Sequence, residues 1–287
     1  MTTRVGYIGL GDMGLPMASH LVPAGFETTV FDLDDSKVQE LVEGGARAAA
    51  NAREVGERSD VLCVCVPADA HVRAVLTGKG GALEGAAPGM LIAIHSTVLP
   101  ETIEEVAEAA AARGCAVIDA CVTGGAHGAA AGELTFLVGG DDPSVEKARP
   151  VLEASSKTIV HAGPLGSGAK LKLAVNTLTY IQWAAARESF LLAKASGLDP
   201  DVFIEAVRSN GQLTDLQLRF LALHRMPEEA ASSEAFQAFS RLQMHTAEKD
   251  LAHALELARK HGLAMPTAGL VSQDMARIYR VKDEGRR

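Results

Sequence analysis

The sequence predicts an α/β domain built on a doubly wound parallel sheet, followed by an all-α C-terminal domain that a long helix joins to it. Three observations lead to this prediction. Short apolar runs alternate with helical stretches as far as residue 163. A glycine-rich turn directly follows the first of these runs. From residue 164 onward the pattern is helical, and residues 169–195 contain neither Gly nor Pro. We therefore place the two domains at residues 1–163 and 164–287.

The apolar runs have the length and composition of strands buried on both faces of a parallel sheet. They lie at residues 5–8, 28–31, 60–66, 90–94, 115–122, 135–138 and 158–160. After the long helix, residues 201–210, 213–223, 233–261 and 267–282 have helical patterns, whereas the polar stretch 226–233 is typical of a loop.

The turn after the first strand carries the run Gly9-Leu10-Gly11-Asp12-Met13-Gly14. Gly9 permits the tight turn, Gly11 lets the backbone approach a pyrophosphate, and Gly14 allows helix and strand to pack closely. The N-terminus of the next helix offers N–H groups and a positive dipole end to phosphates. A strand, a glycine turn, a helix and a second strand ending in an acid together predict a Rossmann dinucleotide-binding unit.

Asp32 is the acid at the end of the second strand. A carboxylate at this place can accept hydrogen bonds from the adenosine ribose hydroxyls, although an ordinary turn acid is the alternative. A 2′-phosphate would be repelled by Asp32, and residues 33–36 contain no Arg or Lys. The sequence therefore favours NAD over NADP.

Composition excludes several classes of function. The net charge is −9 and Lys and Arg form no run, so we expect neither nucleic acid nor anionic membranes as partners. No apolar run approaches the roughly 20 residues that span a bilayer. The first residues lead straight into a strand, which gives no sign of a signal peptide and favours a cytoplasmic protein.

The spacing of cysteines and histidines indicates no metal or redox centre. The four cysteines, Cys63, Cys65, Cys115 and Cys121, lie in apolar, strand-like contexts and form no CxxC pair. We expect them to be buried, reduced thiols. The histidines lack HxxxH and HExxH spacing, so no metal site is expected. No GxSxG elbow occurs to support acyl transfer.

Candidate site residues directly follow the predicted strands, where open α/β sheets bind their ligands. They are Pro67, Ser96, Thr97, Thr123, Gly124 and Gly125. The Thr123 hydroxyl and the glycine N–H groups after it could cradle a carboxylate, or could simply form a tight strand-to-helix turn.

The long helix carries a second candidate, the pair Lys172 and Asn176, which are four residues apart and share one face. Their neighbours are mostly apolar. A buried lysine is costly unless it is paired or used in function, although a lysine can also extend its charged end to solvent.

These segments together resemble the β-hydroxyacid dehydrogenase family over nearly the whole chain. That family includes 3-hydroxyisobutyrate, tartronate semialdehyde and 4-hydroxybutyrate enzymes. The opening Ile8-Gly9-Leu10-Gly11-Asp12-Met13-Gly14-Leu15-Pro16-Met17-Ala18 is similar to the family signature GLGxMGxPMA. Asp119-Ala120-Cys121-Val122-Thr123-Gly124-Gly125 is similar to its motif DAPVSGG. Gly166-Ser167-Gly168 with Lys172 and Asn176 matches GxGxxxKxxxN, and Lys249-Asp250 matches a C-terminal KD pair.

The resemblance implies oxidation of a small β-hydroxy acid by hydride transfer to NAD. It implies that Lys172 is the general acid/base and that Asn176 holds the lysine or the substrate. Thr123, Gly124 and Gly125 would bind the substrate carboxylate, with Ser96 near the nicotinamide. The cofactor contacts would be Gly9, Leu10, Gly11, Asp12, Met13, Gly14, Asp32, Val66, Pro67, Thr97 and Lys249, the last bordering the cofactor cleft. In this family the helical domain forms the subunit contact, so a homodimer or homotetramer is expected.

Three departures from the family pattern leave the substrate open. Cys121 stands where the family usually has Pro, Thr123 where it usually has Ser, and Leu242 where it often has Phe. The alternatives are a reductase of a semialdehyde acid, such as tartronate or succinic semialdehyde, an imine reductase, and a non-catalytic dinucleotide-binding protein. Lys172 argues against the last two, because imine reductases usually replace this lysine and a protein that had lost its chemistry would be expected to lack it.

Overall fold

The computed structural model describes residues 2–282, and these divide after Lys172 into two compact units. The first unit contains an eight-stranded sheet. Its strands are β1 (Arg4–Ile8), β2 (Glu27–Phe31), β3 (Arg47–Ala48), β4 (Val61–Val64), β5 (Leu91–Ile94), β6 (Ala116–Thr123), β7 (Leu134–Gly139) and β8 (Ser156–Gly163). Its helices are α1 (Gly14–Ser19), α2 (Asp35–Glu43), α3 (Ala52–Glu57), α4 (Asp69–Leu76), α5 (Ala82–Gly85), α6 (Pro100–Ala111), α7 (Gly125–Ala130), α8 (Asp142–Glu153) and the start of α9 (Ser167–Ala195).

The strand order is β3-β2-β1-β4-β5-β6-β7-β8. Its first six strands follow the order of a doubly wound dinucleotide-binding sheet, which confirms the predicted fold class. Both faces of the sheet are covered. In β6, Val117 and Cys121 belong to the apolar cluster on one face, and Ile118, Ala120 and Val122 to the cluster on the other. Burial on both faces explains why the central strands read as continuous apolar runs.

The sheet departs from the predicted parallel arrangement at one place, because β7 runs antiparallel to β6. The connection between these strands, residues 124–133, contains only the short helix α7. A parallel crossover needs a dozen or more residues, so this connection reverses the chain. Residues 116–119 of β6 pair with β5, and residues 119–123 pair with β7. The second half of β6 therefore extends beyond the end of β5.

One row of paired residues crosses the sheet, and we call it the edge row. Its members are Phe31, Ile8, Val64, Ile94, Asp119, Gly139 and Gly163, in order across the strands. The chain segments that leave β1, β2, β4 and β5 all start directly after this row. The edge row thus marks the carboxyl ends of these parallel strands, where their loops begin.

The second unit contains the rest of α9 and helices α10 (Pro200–Ser209), α11 (Asp215–Arg225), α12 (Glu228–Ala231), α13 (Glu234–Lys260), α14 (Pro266–Gln273) and α15 (Met275–Ile278). Its core includes Trp183, which stacks on Phe220 with ring centroids 4.7 Å apart. Helix α12 is a single short turn within the polar stretch that was predicted as a loop. No helix within residues 2–282 is long and apolar enough to cross a membrane.

The division between the units falls after Lys172, beyond the change of composition at residue 163 from which the domain boundary was predicted. The reason is that the first turn of α9 packs on the sheet: Ala169 is buried in the same cluster as Cys121.

Candidate active site

The three glycines of the first turn meet different surroundings. Gly9 has a φ of +94°, and a Cβ there would strike the backbone carbonyl of Cys65. A Cβ on Gly14 would strike the carbonyl oxygen of Gly9. At Gly11 a Cβ would have no atom within 4 Å. Gly9 and Gly14 therefore serve close packing of the turn, whereas Gly11 leaves open space beside the backbone.

Asp32 lies next to this turn and its carboxylate is fixed by two backbone N–H groups. Leu10 donates to Oδ2 at 2.5 Å, and Asp34 donates to Oδ1 at 2.9 Å. The following residue, Leu33, is 93% exposed. The structure thus places an oriented acid beside the glycine turn and an exposed apolar side chain next to it in the chain, and no pattern in the sequence points to a role for Leu33.

Ser96 braces the loop after β4. Its buried hydroxyl accepts a hydrogen bond from the backbone N–H of Val66 at 2.8 Å, and the thiol of Cys121 donates to its carbonyl oxygen at 3.5 Å. Pro67, which follows Val66, is exposed, and Thr97, which follows Ser96, is half-buried. Ser96 therefore joins the ends of β4, β5 and β6, and its hydroxyl is engaged within the protein.

His95 is a core residue. Its Nδ1 lies 2.8 Å from the carbonyl oxygen of Ala120, and its ring lies between those of Tyr7 and Phe136, at centroid distances of 6.0 and 5.3 Å. Complete burial lowers the pKa of His95 to about 4. The imidazole is therefore neutral near pH 7.

Thr123 ends β6 and the two glycines after it turn the chain into α7. Gly124 and Gly125 have φ values of +129° and +68°, and a Cβ on Gly125 would meet no atom within 4 Å. Because side chains alternate along a strand, Thr123 shares a face with Cys121 and Asp119. This is the face against which Ala169 packs.

Asp119 is a further functional candidate, whose role the sequence motif does not indicate. Its fully buried carboxylate accepts hydrogen bonds from the backbone N–H groups of Gly166 at 2.7 Å and Ala169 at 2.6 Å. Burial raises the pKa of Asp119, and the N–H donors oppose that rise. Added Cβ atoms on Gly139 or Gly168 would collide with this carboxylate. A carboxylate inside an otherwise apolar strand was the signal in the sequence.

Lys172 follows Ala169 by one turn of α9 and is partly buried, whereas Lys170 is exposed. Asn176 lies one further turn along the same helix, in the second unit. Lys172 is thus carried by a helix turn that adjoins the one bound to Asp119.

In the second unit, Asp250 connects the predicted site residues. Its buried carboxylate accepts hydrogen bonds from Asn176 Nδ2 at 2.6 Å and from the Tyr180 hydroxyl at 3.1 Å. The ammonium of Lys249 lies 3.2 Å from Oδ1 of the same residue. Asp250 therefore orients the Asn176 amide, a role that spacing alone did not reveal.

The predicted site residues form two groups. Those of the first unit lie at the ends of strands, in the segments that follow them or, for Lys172, on α9. They are Gly9, Leu10, Gly11, Asp12, Met13, Gly14, Asp32, Val66, Pro67, Ser96, Thr97, Thr123, Gly124, Gly125 and Lys172. Asn176 and Lys249 belong to the second unit. Within residues 2–282, no group of three His, Cys, Asp or Glu side chains is arranged to hold a metal ion.

The first group fits a dinucleotide. The space beside Gly11 allows a pyrophosphate to approach the backbone, and the fixed Asp32 carboxylate can accept hydrogen bonds from ribose hydroxyls. A doubly wound sheet with this glycine turn at the end of its first strand defines the first unit as a Rossmann-type dinucleotide-binding domain.

Comparison with known proteins gives the family. Residues 4–163 match the family model described as the NAD binding domain of 6-phosphogluconate dehydrogenase. Residues 166–286 match the one described as NAD-binding of NADP-dependent 3-hydroxyisobutyrate dehydrogenase. The chain therefore belongs to the β-hydroxyacid dehydrogenase family of NAD(P)-dependent oxidoreductases, which act on hydroxyl groups.

Individual relatives cover almost the whole chain. A 3-hydroxyisobutyrate dehydrogenase of Pseudomonas aeruginosa is 39% identical, over 93% of this chain and 89% of its own length. An NAD-dependent L-serine dehydrogenase of the same organism is 38% identical, with the same coverage. Among solved structures, the 3-hydroxyisobutyrate dehydrogenase of Mycobacterium tuberculosis with L-serine is 29% identical with a TM-score of 0.80, covering 98% of this chain and 94% of that one.

Proposed function

We propose that this chain oxidises a small β-hydroxy acid to the corresponding semialdehyde, with NAD as the hydride acceptor and Lys172 as the general base. One observation carries the proposal: on one face of β6, Asp119 binds the start of α9 and Thr123 begins the candidate carboxylate cradle. The open glycine turn begins at the same edge row.

The cradle supports a carboxylate substrate. Gly124 and Gly125 have positive φ values, and consecutive backbone N–H groups in such turns form a concave anion site. The Thr123 hydroxyl would add a third donor. The relatives named above are dehydrogenases of 3-hydroxyisobutyrate and L-serine. Both compounds carry a hydroxyl on C3 of a short acid, and we propose a substrate of that size.

Lys172 would take the hydroxyl proton as the C–H bond of the same carbon is broken. Bound nicotinamide supplies the hydride acceptor at its C4 atom. The proton passes from the substrate oxygen to Lys172 Nζ and then to solvent, so the products are a carbonyl group, a reduced cofactor and one proton. Asn176, oriented by Asp250, would hold the lysine or the substrate. General acid–base catalysis of this kind contributes ~10²–10⁴-fold in rate.

We propose NAD as the preferred cofactor because acidic residues follow β2. Asp32 is fixed for the ribose, and Asp34 and Asp35 come shortly after it. A 2′-phosphate would be repelled by these charges. Further cofactor contacts are proposed for Gly9, Leu10, Gly11, Asp12, Met13, Gly14, Val66, Pro67, Thr97 and Lys249.

We also propose that the chain acts as a homodimer or homotetramer in the cytoplasm. Most of the exposed large apolar side chains among the described residues lie in the second unit, for example Leu192, Phe239 and Leu270. Large apolar side chains at a protein surface are often buried in subunit contacts, and we propose that these ones are. The four free cysteines support a reducing compartment. Sedimentation velocity tests the assembly: a monomer at micromolar concentration would contradict it.

The test of the function is NADH formation by the purified protein with NAD and a panel of 3- and 4-hydroxy acids that includes L-serine and 3-hydroxyisobutyrate. We expect turnover on a 3-hydroxy acid and a loss of ~10²-fold or more in Lys172→Ala, with NAD affinity retained. Turnover only in the reverse direction, on a semialdehyde or an imine, would favour a reductase. NAD binding without turnover on any of these would indicate a non-catalytic protein.

A further inference from the structure

Asp119 takes the place of a helix cap that α9 lacks in its own sequence. An N-cap side chain usually accepts the backbone N–H of the second or third helical residue. Gly166 precedes the first residue of α9 and has no side chain. The carboxylate of Asp119, which is 47 residues away in the chain, accepts the N–H of Gly166 and of Ala169 instead. A carboxylate at this end of a helix is also favoured by the helix dipole.

The contact between Asp119 and α9 is tight on every side. The Cβ atom of an alanine at Gly168 would strike the Leu137 carbonyl oxygen and would press on the Asp119 carboxylate and the Gly139 N–H. The helix can therefore approach the sheet this closely only because Gly139 and Gly168 lack side chains. Such packing leaves the first turn of α9 a single position on β6 and β7.

The register of the sheet relates this position to the rest of the site. Asp119 belongs to the edge row, as do Ile8, which precedes the glycine turn, and Ile94. Three strand spacings separate β1 from β6, a distance of ~14 Å. Along β6, Thr123 lies four residues beyond Asp119, ~13 Å away on the same face. The sheet therefore fixes the distance from Asp119 to the glycine turn and the distance from Asp119 to the proposed carboxylate cradle.

We propose that Asp119 is a positioning residue for catalysis: by binding the first turn of α9 it fixes Lys172 relative to the glycine turn and to Thr123. It touches neither substrate nor cofactor and acts through the lysine. This inference rests on the proposed function of Lys172. If Asp119 only stabilised the fold, the effect of replacing it on turnover would not depend on whether Lys172 is present.

A double-mutant cycle separates these two roles. Asp119→Asn keeps the shape of the side chain but removes the charge and one acceptor. We expect it to lower kcat tenfold or more in the wild-type background while the Kd for NAD changes less than threefold, because the glycine turn is untouched. In the Lys172→Ala background the same substitution should change the residual kcat less than twofold. Equal losses in both backgrounds would overturn the proposal.

Asp141→Asn is the matched control. Asp141 also caps a helix, since its carboxylate accepts the N–H of Ser144 at 2.8 Å at the start of α8. This cap does not touch α9. We expect kcat within twofold of the wild type in either background. A loss equal to that of Asp119→Asn would mean that any weakened helix cap lowers turnover, which contradicts a specific role of Asp119.

Hydrogen exchange on the wild-type protein gives a readout that needs no turnover and no variant. We expect the amides of Gly166 and Ala169 to exchange at least 100-fold more slowly than that of Phe236, whose N–H is capped by the exposed Ser233. Comparable exchange at the three amides would show that the carboxylate does not hold the helix. If the wild-type protein oxidised no hydroxy acid, the proposed function would fail, and this measurement would still decide whether Asp119 fixes α9.

Discussion

Gly11 and Gly14 lie in the same turn, yet an added methyl group meets different surroundings at each. In Gly14→Ala the methyl collides with the Gly9 carbonyl, and we expect the free energy of unfolding to fall by about 1–3 kcal/mol. In Gly11→Ala the methyl enters open space, so stability should stay within ~0.5 kcal/mol. That space is where we propose the pyrophosphate binds, and NAD affinity should fall at least tenfold. Thermal melts and NADH fluorescence titrations measure the two effects. Unchanged NAD binding in Gly11→Ala would contradict the proposed site.

Asp32 offers a second prediction at the scale of one side chain. Asp32→Asn removes a charged acceptor for the ribose hydroxyls, and hydrogen bonds to charged groups contribute about 1.5–3 kcal/mol. We expect the Kd for NAD to rise about 10–100-fold and the preference for NAD over NADP to shrink, because the repulsion of a 2′-phosphate is lost. Calorimetric titration with both cofactors measures the change.

Asp35→Asn is the control for Asp32, since it removes the same charge from the first turn of α2 without touching the glycine turn. A loss of NAD affinity as large as that of Asp32→Asn would show that overall charge, rather than a bond to the ribose, determines binding.

At the scale of a helix pair, His224 makes the stability of the helical unit depend on pH. Burial, assisted by Arg187, lowers its pKa to about 4, and its Nε2 lies 3.0 Å from the Ile278 carbonyl oxygen. As the pH falls below ~6.5, His224 binds a proton in the unfolded chain but stays neutral in the folded chain. The contribution of His224 to stability is therefore complete above pH 6.5 and is lost as the pH falls to about 4. The loss is on the order of 3 kcal/mol.

Trp183 is the only tryptophan of the chain and lies in this unit, so its fluorescence follows the unfolding. We expect the urea midpoint to fall between pH 6.5 and 4.5, and His224→Gln to lessen the fall. His261→Gln is the control, because His261 is exposed at the end of α13 and the substitution removes a histidine without altering the contact between α11 and α15. Equal pH profiles for His224→Gln and the wild type would contradict the assignment.

The helices and strands were largely predictable, because the pattern of apolar residues along the sequence reflects which faces of each element are buried. The central strands are covered on both faces, so they appear as apolar runs, and the long helix has no internal Gly or Pro. The direction of β7 was not predicted, since apolar runs look alike in parallel and antiparallel strands. Only the shortness of the connection at residues 124–133 could have indicated the reversal.

The whole molecule should be stabilised by its cofactor through mass action. A ligand at 100 times its Kd adds ~2.7 kcal/mol to the stability of the state that binds it. We expect NAD to raise the melting temperature of the wild type and of Lys172→Ala equally. The reason is that the glycine turn follows β1, whereas the lysine is carried by α9. Differential scanning calorimetry measures both shifts. Loss of the shift in Lys172→Ala would mean that the lysine contributes to cofactor binding.

The candidate site could be predicted from the sequence only in part, for a physical reason. The dinucleotide turn is local, so Gly9, Gly11 and Gly14 identify it by spacing. Asp119 and Asp250 act through partners many residues away, Ala169 for the one and Asn176 for the other. A single sequence contains no record of such pairings. Lys172 and Asn176 stood out as a polar pair on one helix face among apolar neighbours, but that pattern also suits a lysine that extends to solvent. Only the family resemblance gave the pair a catalytic role.

The part of β6 that extends beyond β5 sets the distance between Asp119 and Thr123, and this distance can change only by whole residues. Each residue of a strand adds ~3.3 Å and turns the next side chain to the opposite face. Inserting one residue between Asp119 and Thr123 would point the hydroxyl away from α9, whereas inserting two would carry it ~6.6 Å further on the same face. The length of acid that would fit between the proposed cradle and Lys172 can therefore be changed only in two-residue steps.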